Sequence, residues 1–213
     1  MHKFAWLALL LIAGVASGTA SAQGETPEAA SAVVADMIAT VQHALSDAKL
    51  SVQEREQEFG RVLHDQFDVP AISRYVLGPY SASASPQEMD VFAGLMQRWM
   101  INAFAGSMGG FGDAKIKMVE TRPYGPASVV VTSEIVQPND PPIRIDWRLH
   151  QDEGHYRIVD LYLQGISLSL VQREQMAAVI SQNGGTVAGL NLALERRLAG
   201  NNGEGALAAS AVH

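Results

Sequence analysis

Two places in this chain carry side chains that could do chemistry. In HQDEGH, residues 150–155, two imidazoles and two carboxylates fall within six residues, the donor types of a metal site. Shortly after it, Asp160 stands between Ile158 and Tyr162 in IVDLYL, where a carboxylate could act as a general base. Each has a plainer reading. HQDEGH separates two strand-like runs and reads as a polar hairpin tip, whose geometry splays the histidines unless a metal draws them together. A buried acid needs a cationic or hydrogen-bonding partner, and Arg173, at the start of the following helix, could fold back to supply it. That makes Asp160 and Arg173 a structural pair. As a base, Asp160 would call for an acid or nucleophile beside it, and no residue is obviously placed for that role. The sequence has no G-x-S-x-G elbow, no phosphate loop with Lys and Ser/Thr, no H-E-x-x-H and no cysteine. None of these familiar catalytic or metal-binding patterns is therefore present, and no metal or cofactor is assigned.

What must position these residues begins after a leader. His2 and Lys3 precede FAWLALLLIAGVA, and the stretch closes on small residues at Ala20–Ala22, the order of a secretory signal peptide. A transmembrane anchor is the competing reading. The apolar run is shorter than the roughly 20 residues a bilayer span needs, and Gly14, Ser17 and Gly18 interrupt it. Removing residues 1–22 takes away one basic side chain and no acidic one, leaving 14 basic against 22 acidic and a net charge of −8. A surface of that sign repels phosphate backbones and anionic bilayers, which disfavours nucleic-acid binding and tight membrane adsorption. Without cysteine the fold needs no disulfide even in an oxidising compartment. One domain over residues 23–199 is expected, followed by a small, polar, disordered tail at 200–213.

Apolar residues recur at helical spacing at Val33, Val34, Met37, Ile38, Val41 and Leu45, and a second helix fits residues 52–67. Pro70 breaks it, and a short helix fits Ala71–Leu77 before the turn at Gly78-Pro79. The longest helix starts with a Ser85 cap and Pro86 and ends at Gly109-Gly110. Its apolar positions, among them Met96, Trp99, Met100 and Phe104, cover more than one narrow stripe, which points to contact with a large apolar volume. Ordinary core packing explains each of these residues singly. Together with Met89 and Met108, they also fit a cavity that repacks around apolar guests.

From Ala114 the period falls to two, and four strands separated by short turns imply an antiparallel meander. Ile143, Ile145, Trp147 and Leu149 share one face of the third strand, with Arg144, Asp146, Arg148 and His150 on the other. In the fourth, the alternation puts Val159, Leu161 and Leu163 on one face and Ile158, Asp160 and Tyr162 on the other. Helices over Leu170–Gln182 and Val187–Leu198 follow. The expected class is α+β, with helices packed on a curved four-stranded antiparallel sheet that forms a cone around an apolar cavity.

At this point FDVPAISRYVLGPY (67–80), SPQEMDVFAGLM (85–96), YRIVDLYLQGISLSLVQREQM (156–176) and NGG (183–185) resemble the MlaC-type periplasmic lipid-binding proteins, also called the toluene-tolerance family. Tyr156 stands where that family commonly has Trp, and SASAS replaces the aromatic that usually follows LGPY. These departures point to a divergent branch such as the one found beside hopanoid-biosynthesis genes. The resemblance implies a periplasmic carrier of phospholipid, or of a related lipid such as a hopanoid. It implies transfer between an outer-membrane lipoprotein complex and an inner-membrane MCE-type ABC transporter. The residues expected to line the lipid pocket are Met96, Trp99, Met100, Phe104, Val129, Val131, Ile143, Ile145, Trp147, Val159, Leu161 and Leu163. The competing classes are a ligand-free periplasmic adaptor with a filled interior, or a small-molecule enzyme using Asp160 as base.

Overall fold

Side-chain caps mark where most helices of this chain begin. In the computed structural model, which describes residues 26–47, 49–107, 115–137 and 140–200, helix α1 (Pro27–Ser46) opens with proline in its first turn, where a missing N–H breaks no bond. Helix α2 (Val52–Gln66) carries a reciprocal cap: Ser51 Oγ accepts from the Glu54 amide at 3.2 Å, and the Glu54 carboxylate accepts from the Ser51 amide at 2.7 Å. Asp68 caps α3 (Val69–Leu77) by accepting from the Ala71 amide at 2.8 Å. This helix starts two residues before the expected Ala71, because proline is tolerated in a first turn; the break from α2 falls at Phe67–Asp68. Ser85 and Glu88 repeat the reciprocal cap for α4 (Pro86–Ser107). The expected signal segment and the tail beyond Gly200 lie outside the described residues.

The period-two region folds as an open antiparallel sheet in the order β1 (Lys115–Pro123), β2 (Ser128–Val136), β3 (Ile143–Asp152), β4 (His155–Leu163), β5 (Ile166–Ser167). Four strands were expected; the fifth, two residues long, turns back on Tyr162 and Leu163. Gln164 and Gly165 make that turn, both with positive φ (51° and 83°), the backbone of a tight two-residue hairpin. Helix α5 (Leu168–Gln182) follows at once with Ser167 as its cap, and α6 (Val187–Gly200) completes the described chain.

One face of the sheet joins the buried faces of all six helices in a single apolar cluster. α1, α2, α3 and α5 touch strands directly, whereas α4 packs against α2, α3 and α6. Contact with three helices accounts for the broad apolar surface of α4.

The register of β4 overturns its simple alternation. Arg148 pairs with Asp160, but Leu149 pairs with Ile158, so Val159 is the extra residue of a bulge. An inserted residue resets the period. Ile158, fully buried, therefore lies on the same face as Leu161 and Leu163 and not on that of Asp160 and Tyr162. The outer edge of β4 beside the bulge is covered by Phe67, which bridges to Ile158, and by the Asp68 amide, which donates to the Ile158 carbonyl at 3.0 Å.

Candidate functional site

Ten of the twelve side chains expected to line a pocket lie in or against one apolar cluster. Met96, Val129, Val131, Ile145 and Trp147 are buried in it; Trp99, Met100, Ile143, Leu161 and Leu163 pack on it half-buried. The pairings Val131 with Trp147, Trp147 with Leu161, and Ile145 with Leu163 run this wall across three strands. Val159, the bulge residue, is not in the cluster, and the side chain of Phe104 lies outside those described. Ile158 and, from β1, Ile116 and Met118 belong to the wall although the sequence did not single them out. Only the pairing register could have shown Ile158, whereas Ile116 and Met118 alternate with Lys115 and Lys117, a signal the sequence carries.

The wall is almost free of polar demand. Trp147 donates its indole N–H to Ser133 Oγ at 2.9 Å, which satisfies the one polar atom that the ring brings into the interior. Along the paired positions of β1 to β4, this face carries no carboxylate, amine, guanidinium or imidazole. The crevice between α1 and α2, lined by Thr40, Val41, Ala44, Glu58, Phe59 and Val62, is a surface dent with no enclosed room even for a water molecule, and so no ligand pocket.

Charge is segregated to the opposite face of the sheet. Arg144 Nε reaches both Asp146 oxygens at 3.1 Å, and Thr132 donates to Asp146 Oδ1 at 2.5 Å. Burial pushes the Asp146 carboxyl up, but the Arg144 hydrogen bonds, the Thr132 hydroxyl and the Arg144 charge outweigh it and hold the group below the usual carboxylate range.

Asp160 is on this opposite face, with a side chain 1% exposed. It accepts from Ser167 Oγ at 2.7 Å, from its neighbour's amide, Leu161 N, at 2.8 Å, and from Ser169 N at 3.2 Å. The carboxylate thus braces the first turn of α5, where helix N–H groups lack internal partners. Its cationic neighbour is Arg148, with Nη2 at 3.9 Å across the β3–β4 pair. The expected pairing with Arg173 is not formed. Arg173 instead lies over the Tyr75 ring, 5.4 Å from its centroid, because backbone donors and the Ser167 hydroxyl already surround Asp160. With its hydrogen bonds committed and its side chain sealed, Asp160 is built to hold α5, not to reach a substrate.

HQDEGH forms the β3–β4 turn, with Glu153 and Gly154 at positive φ. His155 pairs with Asp152 and lies diagonally across from His150 on one face of the hairpin, and among the described residues no three metal-ligating side chains gather there, so the stretch is the polar hairpin tip that was expected. His150 Nδ1 is 3.1 Å from Ser128 Oγ.

The family model described as "MlaC protein" matches residues 31–196, which span every described element except the first turn of α1 and the last residues of α6. The chain belongs to the MlaC family. Among solved structures, a phospholipid-binding protein from Ralstonia solanacearum, determined in complex with a phospholipid, matches the MlaC fold seen here with a TM-score of 0.68 and 21% sequence identity. The match covers 79% of this chain and 96% of that one. No curated protein matches the chain. No helix among the described residues of this MlaC-family protein is long and apolar enough to cross a membrane.

Proposed function

We propose that this chain is a non-enzymatic lipid carrier of the periplasm that holds phospholipid, or a related lipid such as a hopanoid, against the core face of its sheet. It shuttles that lipid between an outer-membrane lipoprotein complex and an inner-membrane MCE-type ABC transporter. The observation that carries the reading is a single apolar cluster that joins α4 to the core faces of four strands, uncharged along the sheet, in a chain of the MlaC family. A fold shared with a protein solved with phospholipid bound supports it. Half-buried Trp99, Met100, Ile143, Leu161 and Leu163 leave apolar surface beside the dense core, where acyl chains would lie. Each methylene moved out of water contributes about 0.8 kcal/mol, so a lipid with two tails crosses an aqueous space at a useful rate only inside a carrier.

Native mass spectrometry of the exported protein tests this directly. One lipid per chain is expected, identified after solvent extraction, with Leu161→Asp and Leu163→Asp folded but empty. A bare mass that persists after incubation with phospholipid vesicles would overturn the proposal.

A further inference from the structure

Although the chain carries seven more acidic than basic residues, the seam between α3 and α5 holds a guanidinium, that of Arg173, with no carboxylate partner among the described residues. Arg173, in the second turn of α5, stacks on Tyr75, and its Nε and Nη2 lie 2.8 Å from where a Cβ on Gly78 would be. Gly78, with φ 54°, lets α3 end this close to the guanidinium. The group is half-buried and oriented on the ring, yet it donates to no carboxylate or carbonyl among the described residues. Its donors are therefore set in place and, among the described residues, left without an acceptor.

The surroundings are those of a contact surface. Leu170, one turn earlier on the same helix, is 45% exposed, Ile166 50% and Tyr75 37%. Tyr162 continues the patch on the sheet: burial and the Asp160 charge push its hydroxyl pKa up, Tyr124 and Tyr75 are near enough to add to this, and Arg148 opposes it. Arg148 is a second cation short of partners, with Nε buried and unpaired and Nη2 3.9 Å from a carboxylate that three other groups already engage. Tyrosine and arginine anchors ringed by apolar residues are what carry binding energy in protein interfaces.

We propose that Tyr75, Leu170 and Arg173, extended by Tyr162 and Arg148, form a docking site for an acidic protein surface, with a partner carboxylate paired to the Arg173 guanidinium. Arginine's planar fork matches a carboxylate in two parallel hydrogen bonds. The patch lies apart from the wall assigned to lipid, so the proposal stands or falls independently of the cargo.

A photo-crosslinking residue placed at Leu170 of the full chain, in cells of its own source, identifies what sits on the patch; the captured protein is then purified and titrated calorimetrically. Arg173→Glu is expected to weaken binding on the order of tenfold to a hundredfold, the range for a hydrogen-bonded charge, and Leu170→Asp about tenfold or more, since it removes buried apolar area and sets a carboxylate against an acidic partner. Converting the partner's facing carboxylate to Arg restores binding to Arg173→Glu, while bound lipid, read by native mass, stays at the wild-type level. If Arg173→Glu does not fold, Leu170→Asp decides alone, since that side chain is exposed. Crosslinks to lipid only, no protein crosslink, unchanged affinity, or failure of the charge swap would overturn the proposal.

Discussion

Replacing Asp160 by Ala should destabilise the fold by about 3–5 kcal/mol, the range for removing one member of a buried, hydrogen-bonded charge set. The magnitude follows from what is left behind. Ser167 Oγ, Leu161 N and Ser169 N lose their acceptor within a site 1% exposed, and each such bond to a charged group contributes about 1.5–3 kcal/mol when taken alone. They are not additive, because a cavity of that size relaxes and the Leu161 and Ser169 amides share one oxygen. Arg148 adds little, since its contact is long and its side chain is 25% exposed. Asp160→Asn is the sharper probe. Oδ1 keeps both amides, and the Ser167 hydroxyl can reverse to accept from the new Nδ2, so the cost falls to about 1–2 kcal/mol. Urea unfolding followed by tryptophan fluorescence reads both, with the slope checked for constancy. Should Asp160→Ala unfold within about 1 kcal/mol of wild type, the bracing role is wrong and the carboxylate is free for another use.

Three further outcomes follow from the same geometry. Gly189→Ala places a Cβ 1.9 Å from the Asn183 carbonyl oxygen, a backbone atom that cannot swing away; thermal melting should show a loss of about 3 kcal/mol or more, and a melt near wild type would mean α6 shifts freely. Gly78→Ala forces φ 54°, ψ −128° on an L-residue and brings a Cβ within 2.8 Å of the Arg173 guanidinium; it should cost about 1–3 kcal/mol, of which Arg173→Ala relieves only the contact and leaves the backbone strain. Asp146 titrates below its unfolded value, so it binds fewer protons folded than unfolded; its contribution is present above about pH 4 and is lost as pH falls through the folded pKa. Asp146→Asn should therefore flatten the acid side of the urea midpoint against pH, and an unchanged slope would show that Arg144 does not hold the carboxylate.

Periodicity carried most of the fold and some of the site. On β3, strict alternation put Ile145, Trp147 and Leu149 inward, and they are buried. The cap at Ser85 located the start of α4 because its chemistry is local. β4 could not be read this way. Ile158, Val159 and Leu161 are all apolar, so one extra residue can shift the inward set without leaving a mark in composition, and the bulge shows only in the pairing with β3. β5 is two residues long, too short for any period. The partner of Asp160 was misplaced for a related reason. Arg173 is near in sequence, but Arg148 is opposite in register, and register is a property of two strands together.

The bulge also ties the two surfaces to each other. By bringing Ile158 inward with Leu161 and Leu163, it completes the apolar wall while leaving Asp160 on the other face, where the carboxylate braces the first turn of α5. The seat of α5 in turn sets Arg173 over Tyr75. Loss of Asp160 should therefore loosen that end of α5 before it loosens the sheet, since α5 depends on the carboxylate and the β2–β3 ladder does not. In Asp160→Asn, amide hydrogen exchange is expected to accelerate first at Leu170–Arg173, with Val131 and Trp147 protected to near the global unfolding limit. Uniform acceleration across both regions would mean that the wall and the α5 patch unfold as one unit.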